Sequence, residues 1–97
     1  MRIYISGPMT GDPDYKQKFA DADMELKAKG YDVVNPSRTA ATLPGSMTYA
    51  EIMRVDLLLL ELCDEIYMLK GWKESHGARI EHDTARRHGI RIRYQDE

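Results

Sequence analysis

The chain has 97 residues, enough for one hydrophobic core and one domain over 1–97. A net charge of −2 and 31 % charged residues describe a soluble protein without the basic footprint that a nucleic-acid polymer demands. No apolar run approaches the roughly 18 residues of a membrane span; a single cysteine, Cys63, excludes an internal disulfide, and the start MRIYISGP lacks a signal-peptide layout, so a cytoplasmic location is expected.

Taken in order, the pattern alternates. Arg2 to Ser6 is a predicted strand, with Ile3 and Ile5 on one face and Tyr4 on the other. The loop Gly7-Pro8-Met9-Thr10-Gly11-Asp12-Pro13 follows, rich in turn residues. Asp12 is placed to cap a helix that has Pro13 at its first position and runs to about Lys29. Its inner stripe is Tyr15, Phe19, Ala22 and Leu26, and Gly30 stops it. Tyr31 to Val34 is a second strand. Asn35 to Met47, with two prolines and a glycine, reads as a long loop of the kind that serves as a lid.

Thr48-Tyr49-Ala50-Glu51 spells a capping box, so a helix begins there and continues to about Leu62. Its apolar stripe of Ile52, Leu59, Leu60 and Cys63 includes one carboxylate, Asp56. A third strand spans Glu65 to Leu69. After the loop Gly71 to Ser75, a third helix covers Gly77 to Arg87, and Gly89 ends it. Ile90 to Tyr94 forms a last strand, with Arg91 and Arg93 on a solvated face, as on an edge or interface strand. The β-α-β-α-β-α-β order predicts an α/β fold: a small, doubly wound, Rossmann-like parallel sheet of about four strands with three helices. In such sheets ligands bind beyond the carboxyl ends of the strands.

The third helix carries the chemistry. Gly77, Glu81, Thr84, Ala85 and His88 share one face at a 3.6-residue period. Glu81 stands in the middle of that inward face, where a carboxylate is costly unless it is paired or working. Gly77, one turn earlier, is expected to leave room for a ligand. Ser75 and the free N–H groups of the first turn make an end that favours anions. Asp56, on the preceding helix, can face the same crevice. Two carboxylates meeting there suit displacement at a sugar carbon: one attacks, and the other orients it or handles a proton. As a structural alternative, Glu81 is a buried, paired residue.

Other motifs exclude chemistry. Gly7-x-x-x-Gly11 is neither the dinucleotide fingerprint nor a P-loop, since no Gly-Lys-Ser/Thr follows. His76, His82 and His88 are spread round the helix by their six-residue spacing, which argues against a metal site. Cys63 reads as core, not as a nucleophile.

The segments Ile3-Tyr4-Ile5-Ser6-Gly7-Pro8-Met9-Thr10-Gly11 and Gly71-Trp72-Lys73-Glu74-Ser75-His76-Gly77-Ala78-Arg79-Ile80-Glu81-His82 resemble a family of small phage- or prophage-type proteins of unassigned function. That family is similar to the nucleoside 2-deoxyribosyltransferases and the 2′-deoxynucleoside 5′-phosphate N-hydrolases. The resemblance implies a nucleoside 2-deoxyribosyltransferase-like domain. It also implies that Glu81 is the nucleophile at C1′, that Asp56 positions substrate and nucleophile, and that Tyr4 contacts Glu81. Ser75 matches a phosphate-binding Ser of the N-hydrolases, which favours a nucleoside monophosphate. Thr10 stands where those hydrolases carry an Arg.

The expected function is therefore N-glycosidase-like cleavage of the base–sugar bond of a (deoxy)nucleoside 5′-monophosphate, by hydrolysis or base transfer. Glu81, Asp56 and Tyr4 carry the chemistry. Ser6, Gly7, Pro8, Met9, Thr10, Gly11, Ser75 and Gly77 hold the substrate. No cofactor or metal is needed. The expected partners are a small nucleotide or nucleoside and a second copy of the chain, with no membrane and no nucleic acid polymer. The alternatives are a non-catalytic nucleotide-binding or sensing module and a structural subunit held through the final strand.

Overall fold

A computed structural model describes residues 1–96; residue 97 of the expected 1–97 span lies outside the described residues. The elements run β1 (Arg2–Ser6), α1 (Tyr15–Ala28), β2 (Asp32–Val34), α2 (Pro36–Thr42), α3 (Tyr49–Glu61), β3 (Glu65–Met68), a 3-10 turn (Trp72–Glu74), α4 (His76–Arg87) and β4 (Arg91–Tyr94). The four strands form one parallel sheet in the order β2-β1-β3-β4. This is the expected α/β architecture. The connection from β1 runs to β2 on one side and the next crosses from β2 to β3 on the other, so the C-terminal ends of β1 and β3 flank the point where ligands enter such sheets.

Strand alternation divides the core in two. Ile3, Ile5 and Tyr67 pack against Phe19, Ala22 and Leu26 of α1. On the other face Tyr4, Ile66 and Met68 pack against Leu60 of α3 and Ala78 and Ala85 of α4. Burying these apolar faces is the main drive for the fold, at about 25 cal/mol per Å². Just past the strand ends, a Cβ on Gly7 would stand 2.8 Å from Leu69 Cβ, so the segments after β1 and β3 meet there because the side chain is missing.

Three expectations need correction. The predicted loop Asn35–Met47 contains a fourth helix, α2. Asn35 caps it by accepting from the Ser37 N–H at 3.1 Å, and Pro36 occupies the first turn, where no N–H is needed. Helix α1 starts at Tyr15, not Pro13. Asp12 instead accepts from the Asp14 N–H at 2.9 Å and pairs with Lys18 at 2.8 Å, closing a turn ahead of the helix. Arg91 and Arg93 are exposed on an edge strand, as expected. They flank Glu65, which is 0 % exposed, at 3.5 and 3.4 Å. On the inward face of α4, His88 is exposed and Ala78 is buried in its place.

Candidate active site

The site grows from period-two and period-3.6 geometry meeting over β1. Tyr4 and Ser6 point to one face of the strand because they are two residues apart. Helix α4 crosses that face and lowers Glu81 onto it. The Tyr4 hydroxyl donates a hydrogen bond to Glu81 Oε2, and Ser6 Oγ donates to Oε1 at 2.7 Å. Glu81 is 6 % exposed, and Tyr4 and Ser6 are fully buried. Among the described residues no cation pairs with Glu81. Removal from water pushes its pKa up to about 7, although both hydroxyl donors pull the other way by favouring the charged form. Burial and the Glu81 charge hold the Tyr4 phenol protonated, so it remains a donor.

Asp56 is the second buried carboxyl, 8 % exposed, on the inner stripe of α3. Desolvation raises its pKa to about 6. Its Oδ1 has no hydrogen-bond partner among the described residues. Its charge further disfavours ionisation of Glu81, which places the two carboxyls within each other's field. Two uncompensated carboxyls in one buried region cost stability, and such arrangements cluster where chemistry needs them.

Around this pair the structure places the other predicted residues differently. Ser75 caps α4, its Oγ accepting from the Ala78 N–H at 3.2 Å, which leaves its own hydroxyl hydrogen to donate. Gly77 does not open onto an empty space. A Cβ there would stand 2.9 Å from Tyr49 Oη and 3.2 Å from Met53 Cε. Ser6 directs its hydroxyl to Glu81, not to the loop mouth. In the loop beyond β1, Gly7 is buried against Leu69, Pro8 and Met9 are half-buried, and Thr10 and Gly11 are exposed. Gly11 has φ +84, a backbone shape that favours glycine.

Tyr49 is the residue that sequence reasoning missed. It lies seven positions before Asp56, hence on the same helix face, and that spacing was the available signal. Burial, then the charges of Glu81 and Asp56, raise its pKa, so its hydroxyl shares their field. Beside the site, Trp72 stacks on His82 at 4.2 Å, and His82 Nε2 lies 2.8 Å from the Tyr94 hydroxyl. A cavity of about 480 Å³ lies at the C-terminal ends of β3 and β4, lined by Met68, Gly71, Trp72, Lys73, Tyr94 and Asp96. A second, of about 230 Å³, lies between Pro8, Lys18 and Lys70. Neither lining includes Glu81 or Asp56, which are 6 % and 8 % exposed. No group of three metal-ligating side chains and no membrane-spanning helix occurs among the described residues.

Sheet order, helix placement and the buried carboxyl together define an α/β protein of the 2-deoxyribosyltransferase fold. The structure is similar to the 2-deoxyribosyltransferase of the psychrotolerant bacterium Bacillus psychrosaccharolyticus, with a TM-score of 0.78 and 15 % identity over 97 % of this chain and 71 % of that one. The chain belongs to the family described as domain of unknown function DUF4406, whose profile matches residues 1–94. No curated protein matches the chain.

Proposed function

We propose that the protein is an N-glycosidase-like enzyme that cleaves the base–sugar bond of a (deoxy)nucleoside 5′-monophosphate, by hydrolysis or base transfer. The observation that carries this reading is Glu81: a buried carboxyl with no cation partner among the described residues, poised to ionise near neutrality and held by two hydroxyl donors. The fold shared with a 2-deoxyribosyltransferase supports the reaction class.

In the first step a Glu81 carboxylate oxygen forms a bond to C1′ as the C1′–N bond breaks. The base leaves with the bonding electrons and takes up a proton from solvent. In the second step water, or another base, attacks C1′ and gives up its proton to solvent; the ester bond to Glu81 breaks and the carboxylate returns. Tyr4 and Ser6 fix the carboxylate orientation while its remaining lone pairs face the sugar. Asp56 offers its unpartnered Oδ1 to a sugar hydroxyl. The Ser75 hydroxyl and the first-turn N–H groups of α4 receive the phosphate, with the Gly7–Gly11 loop beside them. This chemistry requires no metal or organic cofactor. A dimer built through the β4 edge accords with the open backbone of that strand.

The burial of Glu81 and Asp56 favours a second reading, in which the domain binds a nucleotide without turnover and acts as a sensor. Incubation with dCMP, dGMP and the matching nucleosides, followed by chromatography for free base, separates the two. The enzyme reading expects free base from at least one monophosphate. A thermal shift without free base supports the sensor and overturns the enzyme.

A further inference from the structure

We infer that Tyr49 is the movable cover of the Glu81 crevice and the residue that an entering ligand first touches. Its hydroxyl would stand 2.9 Å from a Cβ on Gly77, one turn ahead of Glu81 on the same helix face. The missing Cβ of Gly77 lets the phenol hydroxyl approach α4, and the Met53 methyl would stand 3.2 Å from the same Cβ. Within this cover Glu81 and Asp56 are almost wholly withdrawn from water, yet Tyr49 itself is 57 % exposed.

Among the described residues the Tyr49 hydroxyl makes no hydrogen bond, and no aromatic ring stacks on it. No hydrogen bond or ring stacking anchors it among the described residues, so another rotamer is open to it. It occupies the first position of α3, directly after the Thr48 cap, and its backbone is held there by the reciprocal Thr48–Glu51 capping bonds. The helix is thus fixed while the side chain is free. Swung outward, it exposes the two carboxyls; swung back, it presents a ring face and a free donor. An apolar face with one hydroxyl suits the C–H face and hydroxyls of a sugar. This deepens the functional reading, and rests on it only for the identity of the ligand.

The test uses full-length protein. Glu81 is labelled with a water-soluble carbodiimide and glycinamide near pH 6, where its carboxyl is mostly protonated, and the labelled peptide is quantified by mass spectrometry. Tyr49→Ala is expected to label about tenfold faster than wild type, because the cover no longer has to open. Tyr49→Phe is expected to label at the wild-type rate. Met53→Ala serves as a second opening variant, with an intermediate rate. Equal labelling of wild type, Tyr49→Ala and Met53→Ala overturns the cover. In equilibrium dialysis with dCMP, Tyr49→Phe is expected to bind severalfold more weakly than wild type. Unchanged affinity overturns the contact. If wild type itself fails to bind dCMP, the functional reading fails while the labelling still decides the cover.

Discussion

Tyr4 on β1 and Glu81 on α4 share a buried hydrogen bond in which the phenol donates to Oε2, although 77 positions separate them in sequence. Ser6, two residues along the same strand, donates to the other oxygen. The two donors are buried on a central strand of the sheet, so the carboxyl is held in place before any ligand arrives.

The proposed reaction carries a pH dependence. Glu81 must be charged to attack in it, and its pKa stands near 7, so the rate of base release is expected to rise with pH through that value. Both hydroxyl donors lower the Glu81 pKa from where burial alone would put it. Ser6→Ala and Tyr4→Phe are each expected to move the midpoint of the pH–rate profile upward. A downward movement contradicts the assignment of the titration to Glu81.

Stability has the opposite dependence on the same group. The folded-state pKa of Glu81 lies above its ordinary 4.5, so the folded protein holds the proton more tightly than the unfolded chain. The associated stability is complete below about 4.5 and is lost as pH rises through about 7. Glu81→Gln removes this loss, and is expected to be more stable than wild type at pH 8 by an amount on the order of 3 kcal/mol. The gain is expected to vanish at pH 4. Chemical denaturation at the two pH values measures it.

Two glycines are expected to respond differently to alanine. At Gly7 the new Cβ meets Leu69 Cβ at 2.8 Å, next to the backbone, and neither segment can yield easily. Gly7→Ala is expected to cost about 1–3 kcal/mol. At Gly77 the neighbours are the free ends of Tyr49 and Met53, which can move, and alanine favours the helix by up to about 1 kcal/mol. Gly77→Ala is therefore expected to keep or raise the melting temperature while reducing base release. Equal destabilisation at both positions contradicts this.

Thr48→Ala removes the side chain that accepts from the Glu51 N–H at 3.2 Å. Its expected cost is about 1 kcal/mol, read from denaturant unfolding. Because the cap fixes the start of α3, it also loosens Tyr49.

How much of this was legible in the sequence depended on the range of the signal. The strands, the Thr48–Glu51 box and the strand alternation that puts Tyr4 opposite Ile3 are local patterns, and the structure follows them. Helix α2 was also local in principle, since Asn35-Pro36 is a cap followed by a first-turn proline, but its seven residues are too few for a periodic stripe. What the sequence could not disclose were pairings between distant elements. Nothing in Arg91-Ile92-Arg93 announces that both arginines clamp Glu65 from a neighbouring strand. Ser6 read as a loop-mouth ligand because its partner lies 75 residues away. The space beside Gly77 read as vacant because the side chain that fills it starts on another helix.

The most direct measurement of the central claim is a rapid quench of the enzyme with dCMP, followed by peptide mass spectrometry alongside the free-base assay. The account predicts a deoxyribose-phosphate ester on the peptide containing Glu81 in the wild type, with released cytosine, and neither in Glu81→Ala. Release of cytosine by Glu81→Ala at the wild-type rate would contradict it.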